Sequence, residues 1–115
     1  MIHEGQVVLF RFPQTDQEVG KLRPAIILRR LPGPYEDWLI CMASSKLGHA
    51  VPGLDEVMSM ADLDFAASGL KTPSVIRVCR LAVADRRILV GAIGEVARER
   101  LARIRANLSA WIAGL

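Results

Sequence analysis

The sequence predicts a mainly β protein with helix, built as a small half-open antiparallel barrel on which a C-terminal amphipathic helix packs. Short β-branched and aromatic segments separated by turn formers fill most of the chain, and the hydrophobic repeat becomes helical only near the C-terminus. A doubly wound sheet would need a helix between successive strands, and the pattern provides none. A length of 115 residues suits one core, so we expect a single domain over residues 1–115.

The first two strands are predicted on either side of a polar loop. Residues 5–12 are rich in β-branched and aromatic types and stop at Pro13, which has no amide hydrogen to donate to a sheet. Turn formers and charges fill residues 14–22, which lead through Arg23 into a second strand over residues 25–28.

The middle of the chain predicts two further strands. After a turn at residues 31–34, residues 38–43 are continuously apolar, which predicts a third strand that is buried on both faces. A short strand near residues 57–60 precedes a compact turn that closes at Gly69.

Two strands and one helix are predicted for the remainder. The strands cover residues 74–80 and 88–93 and are joined by a loop around residues 85–87. Apolar residues then recur every three or four positions, which places them on one face of a helix. These residues are Ala97, Leu101, Ile104, Leu108 and Ile112.

Composition excludes several classes of protein. With 51% hydrophobic and 23% charged residues the chain is not disordered, and a net charge of +3 suits a polyanionic partner without indicating one strongly. Cys41 and Cys79 lie in apolar runs and are expected to be buried, reduced thiols. Neither a signal segment nor an apolar run long enough to span a bilayer is present, so we expect a cytoplasmic protein with no membrane partner. A mean hydropathy of +0.27 indicates apolar surface that a second copy would cover, and predicts a homodimer.

The motifs of most enzyme classes are missing. His3 and His49 are far apart, and the sequence has no metal-ligand spacing, phosphate-binding glycine loop or nucleophile elbow. We therefore expect neither a metal site nor a cofactor.

Polar residues cluster where the predicted strands end and could together hold a phosphate, because cationic side chains stabilise charge that develops on phosphoryl oxygens. They are Glu18, Lys21, Arg23, Ser44, Ser45, Lys46, Arg77 and Arg80. A purely structural interpretation is also open. Arg23 would then pair with Glu18 at the start of a strand, and Ser44 and Ser45 would only turn the chain.

Four segments resemble, in order, those of the PemK/MazF toxins, and together they span nearly the whole chain. They are residues 5–12, residues 18–28 from Glu18 through Arg23-Pro24, residues 69–77, and Ile93-Gly94, which are expected to open the last helix. The resemblance implies an SH3-like barrel, a homodimer, cleavage of single-stranded RNA and a cognate antitoxin that blocks the RNA groove. The nucleophile would be the ribose 2′-hydroxyl of the substrate itself, so the reaction would need no metal.

The resemblance also implies roles for individual residues. Arg23 would stabilise the scissile phosphate, Ser44 would supply the hydroxyl, and Glu18 would act as base or orient the arginine. From the remaining polar residues at the strand ends we expect RNA binding by Lys21, Ser45, Lys46, Arg77 and Arg80.

Three positions depart from the family pattern. The plasmid-borne branch carries Arg-x-Asp where this chain has Arg77-Val78-Cys79, so the proposed carboxylate base is missing and either Glu18 replaces it or positioning and charge suffice. Arg80 stands where another branch has an RNA-contacting glutamine. Ser44 keeps the hydroxyl of the usual threonine but not the methyl group that restricts its rotamer.

Two other functions stay open. One is a noncatalytic barrel of the same fold that binds only its antitoxin or a topoisomerase, as the missing carboxylate at Cys79 would allow. The other is a plain nucleic-acid-binding barrel, which the aromatic content of 5% disfavours because such proteins stack bases on aromatic rings.

Overall fold

The computed structural model describes residues 1–12 and 21–115, and in them the predicted order of short strands followed by one long helix is observed. The strands are β1 (Gln6–Arg11), β2 (Leu22–Arg30), β3 (Asp37–Ser44), β4 (Glu56–Met58), β5 (Ser74–Asp85) and β6 (Val90–Glu95). The helices are α1 (Phe65–Ser68) and α2 (Arg98–Ile112), with short 3-10 turns at Leu47–His49 and Arg86–Ile88.

The strands form one curled, antiparallel sheet in the order β4-β5-β3-β2-β1-β6 within the described residues. β1, β2 and β3 follow one another along the chain and in the sheet, as hairpin-like connections require. The mainly β half-barrel with one C-terminal amphipathic helix is therefore confirmed.

The sheet is buried on both faces, which explains the uninterrupted apolar runs. One core lies under α2 and contains Ile26, Leu28 and Ile104. The other lies on the opposite face and contains Ile27 and Ile40. Successive side chains of a strand point to opposite faces, so β2 needs an unbroken apolar run to fill both cores.

A large bulge divides β5. Cys41 pairs with Leu81 but the next residue, Met42, pairs with Arg77, so three residues of β5 have no partner in β3. The Asp55 carboxylate holds this bulge, because it accepts hydrogen bonds from the amides of Val78 at 3.0 Å and Val51 at 2.9 Å. The bulge bends β5 and lets the sheet curl.

Four expectations need correction. The last strand begins at Val90 rather than at Ile88, and Gly94 lies inside it instead of opening the helix. Ile112 is 71% exposed, although its spacing placed it on the packed face of α2, because the helix has by then run past the sheet. Cys41 is fully buried as expected, but Cys79 beside the β5 bulge is partly exposed.

Candidate functional site

A groove opens where β2 and β3 separate. The ladder between these strands reaches Ala25 opposite Met42 and goes no further, and the next residue of β2 is Pro24, which has no amide hydrogen. The same register extended by two residues sets Arg23 opposite Ser44. The sequence Arg-Pro thus ends the pairing of the two strands and leaves an arginine and a serine facing each other across the gap.

The groove has a volume of about 410 Å³ and combines apolar walls with hydroxyl groups and two cations. β1, β2 and β3, with the residue after β3, contribute Leu9, Leu22, Arg23, Pro24, Ala43, Ser44 and Ser45. The α1–β5 connection, the first residue of β5 and the edge strand β6 contribute Gly69, Leu70, Lys71, Thr72, Ser74 and Ile93. No carboxylate or histidine stands among these described lining residues.

Arg23 is half-buried on β2, where its backbone lies opposite Phe10 of β1. Within residues 1–12 and 21–115, no side chain forms an ion pair or hydrogen bond with its guanidinium. Glu18, its expected partner, lies outside the described residues. A guanidinium that keeps its forked donors uncommitted in a groove is suited to bind a phosphate.

Ser44 and Ser45 line the same groove at the end of β3. The Ser44 Oγ accepts the Lys46 amide at 3.2 Å, so this serine does turn the chain, as the structural interpretation expects. The hydroxyl hydrogen of Ser44 has no acceptor among the described residues, which leaves it able to donate to a ligand.

The connection from α1 to β5 forms another wall of the same groove. Its exposed Lys71 and Thr72 face the groove and were not among the predicted site residues, although they lie inside the 69–77 segment of the family resemblance. Neither motif chemistry nor periodicity distinguishes an exposed lysine in a turn, so only this segment match could have indicated them.

This wall is held by two glycines in close backbone contact. Gly69 ends α1 in a left-handed conformation, φ 74°, and a Cβ there would lie 2.1 Å from the Ile93 carbonyl oxygen. A Cβ on Gly94 would lie 2.2 Å from the Ala67 carbonyl oxygen. No side chain fits in either place, so α1 and β6 approach through their backbones.

Arg77 and Arg80 line a different groove, formed around the β5 bulge with Asp55 and Cys79. The Arg77 Nε lies 3.8 Å from the Asp55 carboxylate, whose side chain is 3% exposed. Arg77 and Cys79 are partly exposed, while Ile76 and Val78, before and between them, are buried in the core.

The structure therefore brings together Arg23, Ser44 and Ser45 and places the other described candidates elsewhere. Lys21 is exposed immediately before β2, and Lys46 is exposed after β3; neither side chain lines the groove. In the described part of the chain no cluster of histidine, cysteine and acidic side chains could hold a metal ion. The helices described here are also too short or too polar to cross a bilayer.

Solved structures with the same architecture define the class of the fold. The Mycobacterium tuberculosis toxin MazF-mt6 superposes with a TM-score of 0.67 at 15% identity, over 94% of this chain and 96% of that one. The MazE-MazF complex from Deinococcus radiodurans gives 0.68 at 24% identity, over 98% and 97%. An endoribonuclease bound to its cognate antitoxin, from a mycobacterial species, gives 0.67 at 18% identity, over 100% and 97%. The fold is that of the MazF toxins.

The sequence match then defines the family. The family model of the PemK-like, MazF-like toxins of type II toxin-antitoxin systems matches residues 3–112. The chain belongs to this family, and the resemblance stated from its four segments is confirmed. No curated protein sequence matches the chain.

Proposed function

We propose that the chain is a metal-independent endoribonuclease toxin that cuts single-stranded RNA, chiefly mRNA, and is neutralised by a cognate antitoxin. The observation that carries the proposal is the Arg23 guanidinium, which has no ion-pair partner among residues 1–12 and 21–115, in the same groove as Ser44. The described lining of this groove has two cations and no carboxylate. The two cations attract a phosphodiester, and no anionic side chain of the described lining opposes its binding. Membership of a toxin family, and a structural neighbour described as an endoribonuclease in complex with its antitoxin, support the same assignment.

In the proposed reaction the ribose 2′-oxygen attacks the adjacent phosphorus while the bond to the 5′-oxygen of the next nucleotide breaks. The leaving 5′-oxygen takes a proton from a general acid, for which water serves where no side chain does, and the products are a cyclic phosphate and a 5′-hydroxyl. Arg23 and the Ser44 hydroxyl stabilise the charge that grows on the nonbridging oxygens, and the substrate supplies its own nucleophile, so no metal is required.

The proton of the 2′-hydroxyl needs an acceptor, and we assign this role to Glu18. No described residue of the groove offers a carboxylate or imidazole, and Glu18 is five positions before Arg23 in the sequence. Its replacement by glutamine removes a general base, whose contribution to rate is about 100- to 10,000-fold. A Glu18→Gln variant that cuts as fast as wild type would instead favour positioning and charge alone.

Cleavage of mixed-sequence RNA in EDTA tests the main assignment. We expect fragments that end in cyclic phosphate, and a loss of kcat of about 100- to 1,000-fold in Arg23→Ala, because the substitution removes donors to the developing charge. Arg30→Ala is the matched control, since it removes an exposed arginine at the other end of β2. Unchanged RNA, or equal rates for Arg23→Ala and wild type, would refute the catalytic assignment.

A noncatalytic binding barrel is the second candidate. It is favoured by Cys79, which stands where a related branch has a carboxylate, and by the absence of acidic groups among the described residues of the groove. Expression of the protein would then arrest growth while cellular RNA stays intact.

We also propose that the toxin acts as a homodimer in the cytoplasm. Trp111 and Ile112, at the end of α2, are 53% and 71% exposed, and exposed apolar side chains of this size are stabilised by a partner surface. Sedimentation at micromolar concentration tests the dimer, and a monomeric profile would refute it.

A further inference from the structure

Lys71 lines the same groove as Arg23 and Ser44 but comes from a different segment of the chain. Arg23 and Ser44 belong to the ends of β2 and β3, whereas Lys71 belongs to the α1–β5 connection. These two cations are the only charged groups among the described lining residues. Two like charges in one groove repel each other unless an anion lies between them, so the pair is suited to a ligand that carries several negative charges.

The backbone around Lys71 is fixed on both sides. Before it, Leu70 is buried and its amide donates to the Ser68 Oγ at 3.2 Å. After it, the Ser74 hydroxyl donates to the Thr72 carbonyl at 2.9 Å, and Pro73 restricts the chain between them. The position of the Lys71 Cα relative to the groove is therefore set by the fold, and only the side chain has freedom to move.

We infer that Lys71 binds an RNA phosphate that flanks the scissile one, in the same groove as Arg23 and Ser44. This inference rests on the proposed function and adds a substrate contact to it. A strand that places its scissile phosphate at Arg23 continues along the groove, and Lys71, the second cation of its described lining, is the group suited to bind a neighbouring phosphate. Because this phosphate does not change charge during the reaction, Lys71 contributes equally to substrate and transition-state binding.

Binding of a noncleavable RNA, methylated at every 2′-hydroxyl, tests the contact as a function of salt concentration. Loss of one phosphate contact makes the slope of log affinity against log salt less steep by about 0.7 for a single strand. We expect this change in Lys71→Gln, with roughly tenfold weaker binding at a fixed salt concentration. Lys71→Arg keeps the charge and should restore the wild-type slope. Arg30→Gln removes the same charge about 20 Å along β2 from Arg23, and should keep the slope of wild type.

Steady-state cleavage gives a second measurement. Lys71→Gln should raise KM about tenfold and leave kcat within about twofold, the pattern of uniform binding. A fall in kcat comparable to that of Arg23→Ala would place Lys71 on the scissile phosphate and overturn the inference. A wild-type salt slope in Lys71→Gln would also overturn it and leave the proposed function intact. Failure of the wild-type protein to bind or cut RNA would overturn both.

Discussion

Arg100 is the residue whose loss should destabilise this toxin most directly. It lies buried in α2, and its guanidinium uses all of its donors: Nε and Nη2 to Asp64, Nη2 to Asp62, and Nη1 to Glu56 and the Val57 carbonyl. These contacts join α2 to β4 and to the turn before α1. We therefore consider Arg100→Met, which keeps much of the apolar stem and removes the charge.

The expected loss in free energy of unfolding follows from the carboxylates that Arg100→Met leaves without a cation. The Asp64 and Glu56 side chains, 9% and 15% exposed, would lose the cation between them. Removing one partner of a buried ion pair costs about 3–5 kcal/mol. Glu56 keeps Arg103 at 3.0 Å, which favours the lower end, so we expect a loss of about 3 kcal/mol. For 115 residues this corresponds to a fall in Tm of roughly 12 °C.

The dependence of this loss on pH distinguishes a charge effect from a packing effect. Burial raises the pKa of Asp64, but hydrogen bonds from Arg100 and the Ala97 amide outweigh it and hold the pKa below the ordinary 3.8. A depressed pKa adds stability that is present above the unfolded pKa and is lost as pH falls through the folded pKa. Without Arg100, burial would raise the Asp64 pKa, so protonation of Asp64 in acid would recover part of the stability that Arg100→Met loses. The difference between wild type and variant should shrink below pH of about 4.

Thermal and urea unfolding from pH of about 7 down to about 3 provide the assay. Arg98→Met is the matched control, because Arg98 is exposed on the same helix and has no ion pair within the described residues; it should change stability by less than about 0.5 kcal/mol. A loss below about 1 kcal/mol for Arg100→Met, or a loss of equal size at both ends of the pH range, would refute the reasoning.

Two further substitutions and one labelling experiment test the packing. Gly94→Ala should cost about 1–3 kcal/mol in chemical unfolding, because its Cβ would meet backbone, whereas Gly48→Ala, with open space around it, should not. Asp55→Asn should cost about 1–3 kcal/mol. The two carboxylate oxygens accept from the Val51 and Val78 amides, and the NH2 group that replaces one of these oxygens cannot accept a hydrogen bond. Burial raises the pKa of Cys41 to about 12, so iodoacetamide followed by mass spectrometry should label Cys79 first and Cys41 only on unfolding. Wild-type stability, or early Cys41 labelling, would contradict these expectations.

Strand and helix positions could be predicted because local pattern determines them. The two-sided burial of β3 follows from its apolar run, and the helical period of Leu101, Ile104 and Leu108 gives the face of α2 that packs on the core. The extension of β5 to Asp85 was not predicted, since it depends on the bulge that Asp55 caps from a distant part of the chain. A local pattern contains no information about such a contact.

The candidate site was predictable only in part, for a similar reason. Arg23 and Ser44 were found by family resemblance, and the register of β2 with β3 places them opposite each other. Lys71 was missed because its relevance depends on where α1 packs. Arg77 and Arg80 were expected at the RNA site, but strand alternation could not predict the β5 bulge around which both line a separate groove.

The two walls of the groove differ in how the fold supports them, and this difference has a functional consequence. The wall with Arg23 and Ser44 is part of the central strands, whose side chains fill both cores. The wall with Lys71 is held in place by the backbone contact between Gly69 and Ile93. It also depends on the ion pairs of Arg100, which bind the turn before α1 through Asp64. Weakening of the Arg100 ion pairs should therefore displace the wall with Lys71 under conditions where the central strands stay folded. RNA binding through Lys71 would weaken under conditions where the Arg23 wall is still folded.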